Sequence, residues 1–186
     1  MTAPVKRATV DDLMRHDGKA ELIDGRLVTM SPTGFRPGRI AFLIGISLHD
    51  FGRRSRLGVA VPDNVGYRVP MLRSGRETFS PDMSFFTGPL PANPMRFLEG
   101  APVFAVEVRS ENDYGSYAEG ELAEKRADYF EAGTLVVWDV DPLADLVRRY
   151  VRGEEQPTVF GLDEFADAEP AVPGWTVSVD DVFEEW

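Results

Sequence analysis

The chain has 186 residues and a formal net charge of −11, with 43% hydrophobic and 27% charged residues. That balance suits a folded domain with a real core, has no apolar stretch of membrane-spanning length, and leaves attraction to nucleic acid to a local basic patch rather than to bulk charge. Cysteine is absent and His16 and His49 are the only histidines, which removes disulfides and thiolate chemistry and argues against a zinc site, so that any metal would rest on carboxylates and be magnesium or manganese. The first eighteen residues lack the apolar core of a signal peptide, so a cytoplasmic location is expected.

Residues 21–32, "ELIDGRLVTMSP", predict a hairpin around an Asp-Gly turn. Residues 38–54 place Ile40, Leu43, Ile44 and Leu48 at helical spacing, with Gly45 as a mild defect. Residues 58–70 read as strand material broken by a turn at Pro62-Asp63-Asn64, and residues 80–86, "SPDMSFF", as a short strand entered through a proline. A proline-rich loop spans 87–102. The run "VFAVEVRS" at 103–110 is an apolar strand, and residues 116–133 form a helix with Ser116 as its expected cap and Gly133 as its stop. Residues 134–142, "TLVVWDVDP", form a second apolar strand, with 146–151 as its antiparallel neighbour; the tail at 174–186 adds a small strand and a closing helix. The order describes an α/β or α+β domain with a mixed central sheet, in which the two apolar strands are central.

Three side chains stand out. Glu107 lies inside an otherwise apolar strand, and a buried carboxylate needs a partner, a metal or a proton. Asp82 follows Pro81 at the start of another strand, so the two carboxylates meet if the strands are neighbours. Their mutual repulsion then calls for a cation, either a divalent metal or an arginine. Lys125 is one of three lysines among 20 Lys and Arg residues, on the flank of a helical stripe formed by Leu122, Ala123, Tyr129 and Phe130. Taken singly, each has an ordinary structural explanation: Asp82 a turn residue, Glu107 a partner of Arg109, Lys125 a surface pair with Glu121. Their order and spacing together favour a site.

On these segments the chain resembles the Uma-two family of restriction endonucleases within the PD-(D/E)xK nuclease superfamily. The match runs through "ELIDGRLVTMSP", "SPDMSFF", "VFAVEVRSENDYGSY" and "EKRADYFEAGTLVVWDVDP", over roughly residues 10 to 152. The resemblance implies a single restriction-endonuclease-like domain over 1–186, with its core at about 10–152, an N-terminal hairpin and a C-terminal extension at 153–186. It implies that Asp82 and Glu107 are the acidic pair, that Lys125 supplies the lysine from the following helix, and that Glu21 completes the site. Arg109 stands at the basic position two residues after Glu107.

The activity so implied is Mg²⁺- or Mn²⁺-dependent hydrolysis of DNA, with the metal on Asp82, Glu107 and the carbonyl of Val108 and, by the symmetry of duplex cleavage, a homodimer. The alternative is a catalytically inactive nuclease fold that serves as a binding or assembly module. For a substrate groove the sequence offers "GRRSR" at 52–56 with Arg36 and Arg39, equally readable as a solvated helix end.

Overall fold

The computed structural model describes residues 7–184. A short helix α1 (Val10–Leu13) opens it, capped by Thr9 and Asp12 in a reciprocal capping box. The hairpin follows as β1 (Ala20–Ile23) and β2 (Arg26–Thr29). Asp24 and Gly25 have φ of 48° and 68°, the paired positive values that a tight two-residue hairpin turn requires. The long helix α2 (Phe35–Ser55) leads into β3 (Val59–Pro62), β4 (Tyr67–Arg68), β5 (Thr78–Phe79), β6 (Met83–Phe86), β7 (Leu98–Glu99) and β8 (Phe104–Val108). Helix α3 (Ser116–Ala132) then precedes β9 (Val136–Asp141), β10 (Leu146–Val151), β11 (Thr158–Phe160), β12 (Phe165–Asp167), β13 (Thr176–Ser178) and the short α4 (Val179–Val182).

The main sheet has six strands in the order β11-β10-β9-β8-β6-β3. Only β8 and β9 pair in parallel, joined by the α3 crossover; every other pair in this sheet is antiparallel. The two strands expected to be central are the two middle strands. Alternation along β8 sends Phe104, Val106 and Val108 into the core beneath α2, and Ala105 to the opposite face with Tyr129 of α3. Glu107 shares the Ala105 face by the same alternation. The three-stranded sheet β5-β4-β7 adds Tyr67, Phe79 and Leu98 to the cluster on the Ala105 side.

Two expectations change. The core beneath α2 continues past residue 152, because Trp175 packs on Trp138 and Phe104, and Ala166, Val172, Val179 and Val182 are buried with them. Ser116 does not cap α3: Gly115 holds the cap position at φ 93° and no side chain accepts from the first turn. Gly133 does end the helix in the left-handed conformation.

Candidate active site

Asp82 lies one residue before β6, where the antiparallel pairing with β8 positions it. Its backbone N–H donates to the Val106 carbonyl at 3.1 Å, and the Val108 N–H donates to its Oδ2 at 2.9 Å. Neighbouring strands therefore bring Asp82 and Glu107 to one end of the sheet.

Glu107 takes one donor on each oxygen. Lys125 Nζ is 2.8 Å from Oε2, and the Tyr129 hydroxyl is 2.6 Å from Oε1. Both donors come from α3, one turn apart. Burial holds the Glu107 carboxyl above its usual range, and the nearby Asp82 charge adds to this against the opposing pull of Lys125 and Tyr129. Burial pulls the other way on Lys125, but Glu107 and Glu21 carry its ammonium above the ordinary lysine range, so it stays charged at neutral pH.

Glu21 belongs to the same network from β1. Its Oε1 accepts from the Ser80 N–H at 2.9 Å and lies 3.6 Å from Lys125 Nζ, while Oε2 pairs with Arg76. Arg76 also binds Asp128 of α3 at 2.8 Å. Burial alone would raise the Glu21 carboxyl, yet Lys125 and Arg76 hold it below its ordinary value. Glu21 thus backs Lys125, which bridges it to Glu107.

Lys19, just before β1, completes the cluster. Its Nζ lies 2.5 Å from Asp63 Oδ1 and 3.2 Å from Asp82 Oδ1. Reasoning from the sequence did not carry Lys19 forward. The available signals were its rarity as a lysine and its position two residues before Glu21, which is the same side of an extended chain.

The donor set can be tested against a divalent ion. Among the described residues no three acidic or histidine side chains close on one point. Mg²⁺ is nevertheless commonly held by one or two carboxylates, its remaining positions taken by water and phosphate oxygens. Asp82 and Glu107 supply such hard oxygens. Five carboxylates (Glu21, Asp63, Asp82, Glu107, Asp128) face three cations (Lys19, Arg76, Lys125) across the linked ion pairs, leaving negative charge in excess. The residues therefore fit a hard divalent cation.

A family model described as "Uma2: Putative restriction endonuclease" matches residues 8–180. The chain belongs to the Uma2 family. A crystal structure described as "a putative nuclease belonging to DUF820", from Anabaena variabilis ATCC 29413, has a similar fold: TM-score 0.74 at 18% identity, covering 94% of this chain and 97% of that one. No curated protein matches the chain.

Other expectations on this Uma2 chain are redirected. Arg109 is not the partner of Glu107. Its guanidinium binds Asp139 of β9 at 2.6 and 2.7 Å and also grips Glu119 of α3. Lys125 pairs with Glu107 and Glu21 rather than with Glu121. Of the expected α3 stripe, Leu122, Tyr129 and Phe130 do face inward, joined by Ala118, Lys125 and Asp128, while Ala123 is exposed. The arginines of "GRRSR" lie at the far end of α2. That helix starts near Ser110, whose Oγ is 3.5 Å from Thr33 Oγ1, and its middle lies on β6, where Gly45 faces Met83, the residue after Asp82. Arg36 and Arg39, at the near end, pair with Asp145 at 2.7 Å and Glu184 at 3.4 Å.

Proposed function

We propose that this chain is a divalent-metal-dependent nuclease that hydrolyses phosphodiester bonds in DNA. The observation that carries this reading is the convergence of Asp82, Glu107 and Lys125 at one end of the β6–β8 pair. The description of the Uma2 family supports DNA as the substrate.

Asp82, Glu107 and the backbone carbonyl of Val108 would hold a magnesium or manganese ion. Such an ion, when bound, acidifies a coordinated water and offsets charge on the phosphate. The protein does the positioning. The Val108 N–H fixes Asp82, and Tyr129 fixes one oxygen of Glu107. Lys125 offers an ammonium donor to the attacking water or to a phosphate oxygen, and Glu21, locked by Arg76 and Ser80, holds that ammonium in place. Lys125 and Tyr129 of α3 cover Glu107, and this burial strengthens each of these electrostatic interactions.

The test is cleavage of supercoiled plasmid by the purified protein with Mg²⁺ or Mn²⁺, and with EDTA as the blank. Asp82→Asn, Glu107→Gln and Lys125→Met should each lower the rate by about a hundredfold or more. Cleavage by the Asp82 and Glu107 variants at the wild-type rate would rule out the assignment. The net charge of −11 favours, as the second reading, an inactive fold that binds a partner. It predicts no metal-dependent cut at any protein concentration.

A further inference from the structure

We propose that Lys19 is a built-in counter-cation that occupies Asp82 until a divalent ion displaces it onto Asp63. The inference rests on the reading of Asp82 as a metal ligand. It starts from the two oxygens of that carboxylate. Oδ2 accepts from the Val108 N–H, a main-chain donor held in the sheet. Oδ1 is instead held by Lys19 Nζ at 3.2 Å, a side-chain donor that can move, so an incoming cation that takes this oxygen competes with Lys19.

Lys19 is built to leave. Its backbone is anchored by the hairpin, where Met30 N–H donates to the Lys19 carbonyl at 3.0 Å. Its ammonium sits at the end of four flexible methylenes and already touches Asp63 at 2.5 Å. Asp63 lies beyond the end of β3, with its side chain 45% exposed, so it accepts the ammonium without further burial. An arginine would grip Asp82 bidentately, whereas an ammonium is a compact charge with rotatable donors. The chain has 17 arginines and three lysines, and two of those lysines, Lys19 and Lys125, stand in this network. Without metal, Lys19 offsets the repulsion between Asp82 and Glu107; with metal, the ion takes over that task. The consequence is a metal affinity set below what the carboxylates alone would give.

The experiment is a Mg²⁺ titration of the full-length protein, followed by calorimetry and by the lysine Cε–Hε signals, of which there are three. Wild-type protein should bind Mg²⁺ with a shift in the Lys19 signal, and Asp82→Asn should abolish binding. Lys19→Gln should bind Mg²⁺ about tenfold more tightly, the scale of one unit charge removed at contact distance. Asp63→Asn, which removes the alternative partner, should bind it more weakly, and Arg36→Gln, a charge change outside the network, should leave affinity unchanged. Should Lys19→Gln fail to fold, Lys19→Arg serves instead, with Mg²⁺ binding weaker than wild type.

Wild-type binding lost in Asp82→Asn, but equal or weaker in Lys19→Gln, overturns the counter-cation and leaves the metal site standing. A Lys19 signal unmoved by bound Mg²⁺ does the same, as does Lys19→Arg binding as tightly as wild type. No Mg²⁺ binding by wild type or by Lys19→Gln overturns the metal-site reading and this inference together.

Discussion

Glu107 sits between Val106 and Val108, both buried, yet both of its oxygens are satisfied by donors from one helix. Arg109, two residues on, is held just as firmly but elsewhere. It is 5% exposed and gripped by Asp139 and Glu119, so its charge is consumed in tying β8 to β9 and α3. Replacing it with Met would leave Asp139, 2% exposed, without its cation. The expected loss is about 3–5 kcal/mol of folding stability, the scale for breaking one side of a buried ion pair. Urea unfolding measures it. Mg²⁺ binding by the fraction that remains folded should persist, because Arg109 touches neither Asp82 nor Glu107. Glu107 stood out as a candidate because a charge inside an apolar run is conspicuous, and Asp82 because it follows a proline at the start of a strand. The partners were not legible in the sequence, because Glu107–Lys125 and Arg109–Asp139 are set by how α3 and β9 come to rest on β8, and the more local pairs, Glu107–Arg109 and Glu121–Lys125, looked equally good.

Helix α2 shows how the site is held from behind. Its apolar stripe was readable, and Gly45 registered only as a defect in it. The structure gives Gly45 and Gly52 a purpose: they let α2 lie close on β6, the strand that Asp82 introduces. A Cβ on Gly45 would come within 2.3 Å of Met83 Cε, the free end of a flexible side chain. On Gly52 it would meet the Gly58 carbonyl oxygen at 3.0 Å and the Phe85 ring at 3.1 Å, backbone and a packed aromatic. Both changes gain roughly 1 kcal/mol of helix propensity. Met83 can move aside, so Gly45→Ala should be near neutral. Gly52→Ala should be net destabilising, since overpacking costs about 1–3 kcal/mol. Chemical denaturation of the two variants checks the order, and a more stable Gly52→Ala would contradict the close packing. Helix α3 was readable in its orientation through Leu122, Tyr129 and Phe130, with Lys125 on the flank of that stripe; what was not readable is that Asp128 is buried beside them, because its partner Arg76 comes from a distant part of the chain.

Across the whole molecule, the opposing carboxylate shifts set the dependence of stability on pH. Glu21 and Asp141 lie below their ordinary values of 4.5 and 3.8 in the fold: Glu21 through Lys125 and Arg76, Asp141 through Tyr114 and Arg148, each against the burial that opposes it. Such groups stabilise the fold above their unfolded values and lose that contribution as pH falls through the folded ones. Glu107 has the opposite sign. Burial, with Asp82 nearby, raises it from 4.5, so its ionised form works against folding, and that penalty is relieved as pH drops through the raised value. Metal-free protein should therefore gain stability from neutral pH into the weakly acidic range, then lose it below about 4.5 as Glu21 and Asp141 take up protons. Glu107→Gln should remove the gain while leaving the acid loss in place. Magnesium, by favouring ionised Glu107, should shrink the same gain in wild-type protein. Thermal unfolding followed across pH, with and without Mg²⁺, reads all three curves. An unchanged slope between neutral pH and 4.5 in the Glu107→Gln protein would show that this carboxylate is not the one under strain.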